Sequence, residues 1–192
     1  MMRKQGEIDM TTFNFKDGNG PVPAHQHSNG GGWVADTAYV DVAAYIGPDA
    51  QVFDNARVSG NAHVSGNAQV FDNARVTGNA RVFDDARVSG NACVYGNARV
   101  YKIARVTGNA RVFGNALVSD DARVTGNARV SGYARVFGNA LVSDDARVSD
   151  NAEVSGYALV SDDVEDDVED DDTSEDIFIE MNGKRYKLVE IA

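Results

Sequence analysis

The chain has 192 residues, with 18 Lys and Arg against 29 Asp and Glu and a formal net charge of −11. A single Cys excludes a disulfide scaffold and a Zn–thiolate site, and 19 Gly with only three Pro exclude collagen. No apolar run is long enough for a transmembrane helix, and the length suits one or two domains.

The start, Met1-Met2-Arg3-Lys4-Gln5-Gly6-Glu7, leads into no apolar stretch, so no secretory signal is expected. The single Cys93 fits a reducing compartment. Residues 1–33 read as a leader and cap, with Trp33, preceded by Asn29-Gly30-Gly31-Gly32, as the start of the N-terminal cover. His25 and His27 form an H-x-H pair whose alternation sends both imidazoles to one side of an extended strand.

From Val34 to Val160 every sixth residue is aliphatic, 22 positions in all, and every one is Val except Ile46. From Ala38 to Ala158 every sixth residue is Ala, 21 positions without exception. A period of six spreads the Val positions around an α-helix and gives no apolar stripe. As a strand the unit works. In Ala-x-Val both small residues point to one side and the residue between them points out. Gly or Asp, followed by Asn or Asp, then supplies a corner, because these residues accept positive φ.

A unit such as Val58-Ser59-Gly60-Asn61-Ala62-His63, with an aliphatic residue first and a small one four later, resembles the hexapeptide-repeat, left-handed parallel β-helix family. The resemblance covers Val34 to Val160. It implies an all-β triangular prism of about seven coils, three hexads to a coil, over residues 34–161. The left hand follows from the resemblance alone, since crossover sterics otherwise favour the right. Family members commonly form parallel trimers, so a trimer is expected. The segment Pro21-Val22-Pro23-Ala24-His25-Gln26-His27 with its Gly run resembles leaders of phage-encoded hexapeptide-repeat proteins. That implies a bacterial cytoplasmic or virion-associated location. In a trimer, His25 and His27 from three chains would surround one transition metal, as in phage spike tips that this arrangement resembles.

Stacking every 18 residues sorts the outward side chains into three faces. The first carries Arg57, Arg75, Cys93, Arg111, Arg129 and Arg147; the second carries Gln51, Gln69, Arg87, Arg105, Arg123, Leu141 and Leu159. The third carries Tyr45, His63, Arg81, Arg99, Leu117, Arg135 and Glu153. These arginines are the candidate anion or partner contacts, and corner Asp residues are expected to pair with them. The repeats from Gln51 to Ser161 hold 12 bases and 10 acids, too balanced for a nucleic-acid surface. Aromatic residues fall in exposed pairs, Phe53 with Phe71, Phe83 with Tyr101, and Tyr95 with Phe113, one pair per face. They are candidate subunit contacts.

Eleven acids and no base lie between Asp162 and Asp176, so residues 162–176 read as a disordered acidic linker. Residues 177–192 read as a β-hairpin turning at Asn182-Gly183, with Ile179 opposite Tyr186 and Glu180 opposite Arg185. A lone hairpin is marginal in water, so it is expected to dock as a cap or to hold a protein partner.

Many family members transfer acyl groups from coenzyme A and place a catalytic His beside a neighbouring subunit. Here the hexads run without an inserted loop, and His63, alone among the repeats' histidines, reads as a surface variant of the Arg position on a flat strand. No catalytic residue and no cofactor are therefore expected, and neither is a membrane partner. The first expectation is a non-enzymatic structural scaffold or binding protein. An acyltransferase relative is the alternative, and an inhibitor of a host defence factor acting through its acidic segment or Arg face is a third class.

Overall fold

In the computed structural model, the described residues are 11–161 and the strands Ile177–Met181 and Lys184–Leu188. The Ala-x-Val segments each form a two-residue strand, and each strand pairs in parallel with the segment 18 residues away. Three sheets result, of ten, seven and seven strands. The chain is an all-β parallel solenoid of about seven coils, and among the described residues no helix is long and apolar enough to cross a membrane.

The interior is a column of Val and Ala. From Ala44 to Val148 every one of these residues is fully buried. The small side chains suit a narrow prism, because like residues stack one coil apart and leave few voids. Corner residues take positive φ as expected, with Gly60 at 68° and Asp54 at 55°. The coil is held by hydrogen bonds between successive turns, such as Arg105 N–H to Ala122 O at 3.0 Å and Thr107 N–H to Val124 O at 2.9 Å.

At the N-terminal end Trp33 opens the first coil strand and also lies within the cover, stacked on Phe13 at 4.4 Å. Strands β1 (Thr12–Asn14) and β2 (Pro21–Gln26) precede β3 (Trp33–Ala35) and run antiparallel to one another, with β2 antiparallel to β3. They close the edge of the second face, which an open solenoid would leave free for pairing. The glycine run covers the next edge. Gly32 N–H donates to Ile46 O at 2.9 Å, and Ile46 N–H donates to Asn29 O at 3.0 Å. A Cβ on Gly30 would stand 2.2 Å from Ile46 O and one on Gly32 2.3 Å from Gly47 O, so only glycine permits this approach.

At the other end Ile177–Met181 and Lys184–Leu188 pair antiparallel, with Ile179 opposite Tyr186 and Glu180 opposite Arg185. The second of these strands runs beside Leu159–Val160. The acidic linker at 162–176 and the turn at 182–183 lie outside the described residues.

Candidate functional site

The register places every predicted column as one line of neighbours. Arg75 stands between Arg57 and Cys93, Arg105 between Arg87 and Arg123, and Arg81 between His63 and Arg99. Arg111, Arg129 and Arg147 continue the first face. The expected pairing with corner Asp does not occur. Among the described residues Arg135 alone holds a carboxylate, Glu153, at 2.9 Å. The corner acids have nearer partners: Asp72 and Asp54 accept backbone N–H groups one coil on, and Asp144 accepts from Ser143 and Ser161. Short Asp side chains at positive φ are spent on their own corner and do not reach the strand centre.

The third face holds a groove of about 470 Å³ lined by Asn61, His63, Asn79, Arg81, Asn97, Arg99 and Asn115. One wall is a ladder of amides. Asn61 donates to Asn79 at 3.4 Å, Asn79 to Asn97 at 3.2 Å and Asn97 to Asn115 at 3.2 Å, all in one direction. His63 forms the far end, its ring stacked on Tyr45 at 4.3 Å and 13°. Burial, and then the Arg81 guanidinium, push its pKa below the ordinary imidazole value of 6.5. The ring is therefore neutral at pH 7 and able to accept a proton. Beside it Arg81 and Arg99 are exposed and, among the described residues, lack carboxylate partners. A proton acceptor and two free cations thus share one cleft.

Sequence reasoning set His63 on a flat strand without a pocket; the structure sets it in this groove. The Asn ladder forms its wall; that ladder follows from the 18-residue repeat, but its height does not. A second polar centre went unread. At the neighbouring corner Lys102 replaces the usual Gly or Asp and pairs with Asp120 one coil on, which also accepts from Ser119 Oγ at 3.1 Å. The signal was available: Lys102 is the one basic residue in any corner slot of the repeats.

The aromatic pairs stack as expected, Phe53 on Phe71 at 5.0 Å and Tyr95 on Phe113 at 4.9 Å. Phe53, however, is not an exposed contact. It is 4% exposed because Phe15 lies on it at 4.8 Å. His25 and His27 find different partners. His25 Nδ1 pairs with Asp36 at 2.9 Å, whereas His27 is buried with Nδ1 3.2 Å from Asn29 O. No group of three potential metal ligands occurs among the described residues.

Three stretches, residues 50–66, 68–84 and 116–132, match the family model described as the YdcK β-solenoid repeat. No curated protein matches the chain. Thirteen solved chains are similar in structure. One is a mutant of perosamine N-acetyltransferase from Caulobacter crescentus in complex with CoA and GDP-perosamine, 17% identical, with a TM-score of 0.50 over 62% of this chain. Another is PerB from the same organism in complex with the same two compounds, 16% identical, with a TM-score of 0.48, covering 62% of this chain and 53% of its own. The present chain spans about half the length of the first, 52%.

This likeness corrects the expectation of a non-enzymatic scaffold. A solenoid of the same fold carries an N-acetyltransferase, so an all-β rod is no argument against chemistry. The other ground for denying a reaction, a histidine without a pocket, falls with the groove around His63.

Proposed function

We propose that the third face is an acyl-transfer site, with an acyl thioester of coenzyme A as donor and an amine as acceptor. The observation that carries this reading is the His63 imidazole beside Arg81 and Arg99 in one groove, where burial and then Arg81 hold its pKa below the ordinary value. As the acceptor nitrogen attacks the thioester carbonyl, a C–N bond forms and the C–S bond breaks. His63 takes the proton that the nitrogen sheds and passes it to the departing sulfur, which leaves as the free thiol. Arg81 and Arg99, one coil or about 4.8 Å apart, present two adjacent cations to the anionic groups of the substrates. Their own mutual repulsion, about 0.9 kcal/mol in water, is relieved when an anion binds between them. The acetyltransferase of shared fold supplies the donor and acceptor classes, CoA and a nucleotide-linked amino sugar.

The test is thiol release from acetyl-CoA with GDP-perosamine or simpler amino sugars as acceptors. His63→Asn is expected to lower the rate roughly 10²- to 10⁴-fold, with little change in donor affinity. Because the imidazole must be unprotonated, activity is expected to fall as pH drops through a value below 6.5. The same depressed value means the unfolded chain binds the proton more readily, so the His63 contribution to stability grows as pH rises through that window. Full activity in His63→Asn, or no thiol release with any amine, overturns the proposal.

A further inference from the structure

The third face carries a second feature, which the reaction just described leaves unused. The residues that follow each Val on this face form a column of their own: Ser65, Phe83, Tyr101, Ser119, Phe137 and Ser155. Successive members sit one coil apart, as the bonds Tyr101 N–H to Val118 O and Ser119 N–H to Val136 O show. Phe83 and Tyr101 are stacked in it at 5.0 Å and 5°. The stack then skips a position. Ser119 stands where a ring would continue it, and Phe137 resumes on the far side. Two coil spacings, about 9.6 Å, separate Tyr101 from Phe137. A planar ring seated over Ser119 would lie about 4.8 Å from each, matching the spacing this column already uses. A cavity of about 150 Å³ occupies that place, lined by Tyr101, Lys102, Leu117, Ser119, Asp120, Arg135, Val136 and Phe137.

We infer that Tyr101 and Phe137 form a slot over Ser119 that takes the purine base of a nucleotide, whose phosphates reach Arg99 and Arg135. The two arginines flank Leu117 in the adjacent column, so they stand one coil to either side of the slot. Arg135 is free to turn to a phosphate, because its bond to Glu153 joins two side chains that are each about half exposed, and such pairs are weak. Base–aromatic stacking tolerates any purine, since every base offers a flat face. The Lys102–Asp120 pair closes the corner side of the slot with both a donor and an acceptor for the base edge.

The slot rests on the acyl-transfer reading only for its use. Ser119 lies three coils, about 14 Å, from the level of His63. The extended arm that separates the base of coenzyme A from its thiol is long enough to cover that distance. A nucleotide-linked acceptor presents the same chemistry, a purine with phosphates, and the experiment separates the two.

The experiment is calorimetric titration of the full chain with ADP, GDP and ribose 5-phosphate. Binding of ADP, of GDP or of both supports the slot, and the tighter of the two indicates whether donor or acceptor occupies it. Ser119→Phe fills the slot with the ring the column lacks and is expected to weaken that binding at least tenfold, while leaving any ribose 5-phosphate binding unchanged. Phe137→Ser removes one wall without crowding and is expected to do the same, which covers the case that Ser119→Phe does not fold. Unchanged affinity in both variants, or no saturation by either diphosphate at millimolar concentration, overturns the slot. Acetyl transfer from the thioester of N-acetylcysteamine, which has no nucleotide, tells this failure from the other. Dependence on His63 but not on Ser119 leaves the reaction standing whatever the fate of the slot.

Discussion

The coils and the N-terminal end of the described chain solve the same problem with opposite materials. In the coils, Val and Ala of successive turns fill the prism, and each turn is covered by the next. At the N-terminus there is no preceding turn. There the cover consists of large rings: Phe13 on Trp33 at 4.4 Å, Phe13 on Phe15 at 4.9 Å, and Phe15 on Phe53 at 4.8 Å. The repeating part is specified by small volume and strict period. The end is specified by bulk and by antiparallel strands that break the period. A solenoid can therefore be lengthened by copying its unit, but it is stopped only by a different sequence.

The sharpest way to break the comparison is a charge in the middle of the rod. Val106→Asp buries a carboxylate at a fully buried site, with Val88 and Val124 above and below and no cation in reach. A loss above about 4 kcal/mol is expected, read as absence of a cooperative transition in chemical denaturation. A folded variant of near wild-type stability would show that the interior is not close-packed.

A smaller and local effect is expected at the cap. Phe15→Ala opens a cavity over Phe53 and should cost about 3–5 kcal/mol of local packing. Hydrogen exchange should show lost protection from β1 to the first coil, with the central coils unchanged. Equal loss of protection along the whole rod would mean that cap and coil form one cooperative unit.

The smallest contrast lies within the coils. A Cβ on Gly126 would stand 2.6 Å from Asp144 N, whereas one on Gly156, in the last coil, meets nothing within 4 Å. Both sit at positive φ, 62° and 67°, so each Ala variant carries about 1–2 kcal/mol of backbone strain. Gly126→Ala alone adds a clash with the next turn, and its melting temperature should fall about twice as far as that of Gly156→Ala. Equal shifts would show that φ, and not contact between coils, governs the corners.

Much of the fold was legible because one short rule repeats. Two small residues two apart, then a corner, leave the backbone a single way to bury the same side of every strand, and the 18-residue register of Arg75 with Arg57 and Cys93 follows. The strands before Trp33 were not legible, since they have no period and their partner Phe53 is distant in sequence. For the candidate site, the columns could be listed, yet the groove at His63 could not. A column tells which residues are neighbours along the rod; a cleft depends on how high the side chains of adjacent columns rise. Nor did the sequence reveal that corner Asp would turn to backbone N–H and leave Arg81 and Arg99 without a carboxylate among the described residues.

Composition and period by themselves determined that this chain winds into a solid β-rod with arginine lines on its surface. Side-chain volume in sixes permits no other dry interior, and backbone pairing is local enough to follow from it. Tertiary structure alone decided where that surface is hollow. The depth at His63 and the gap over Ser119 arise from differences in height between residues of separate coils, a sum over three dimensions that no one-dimensional repeat contains.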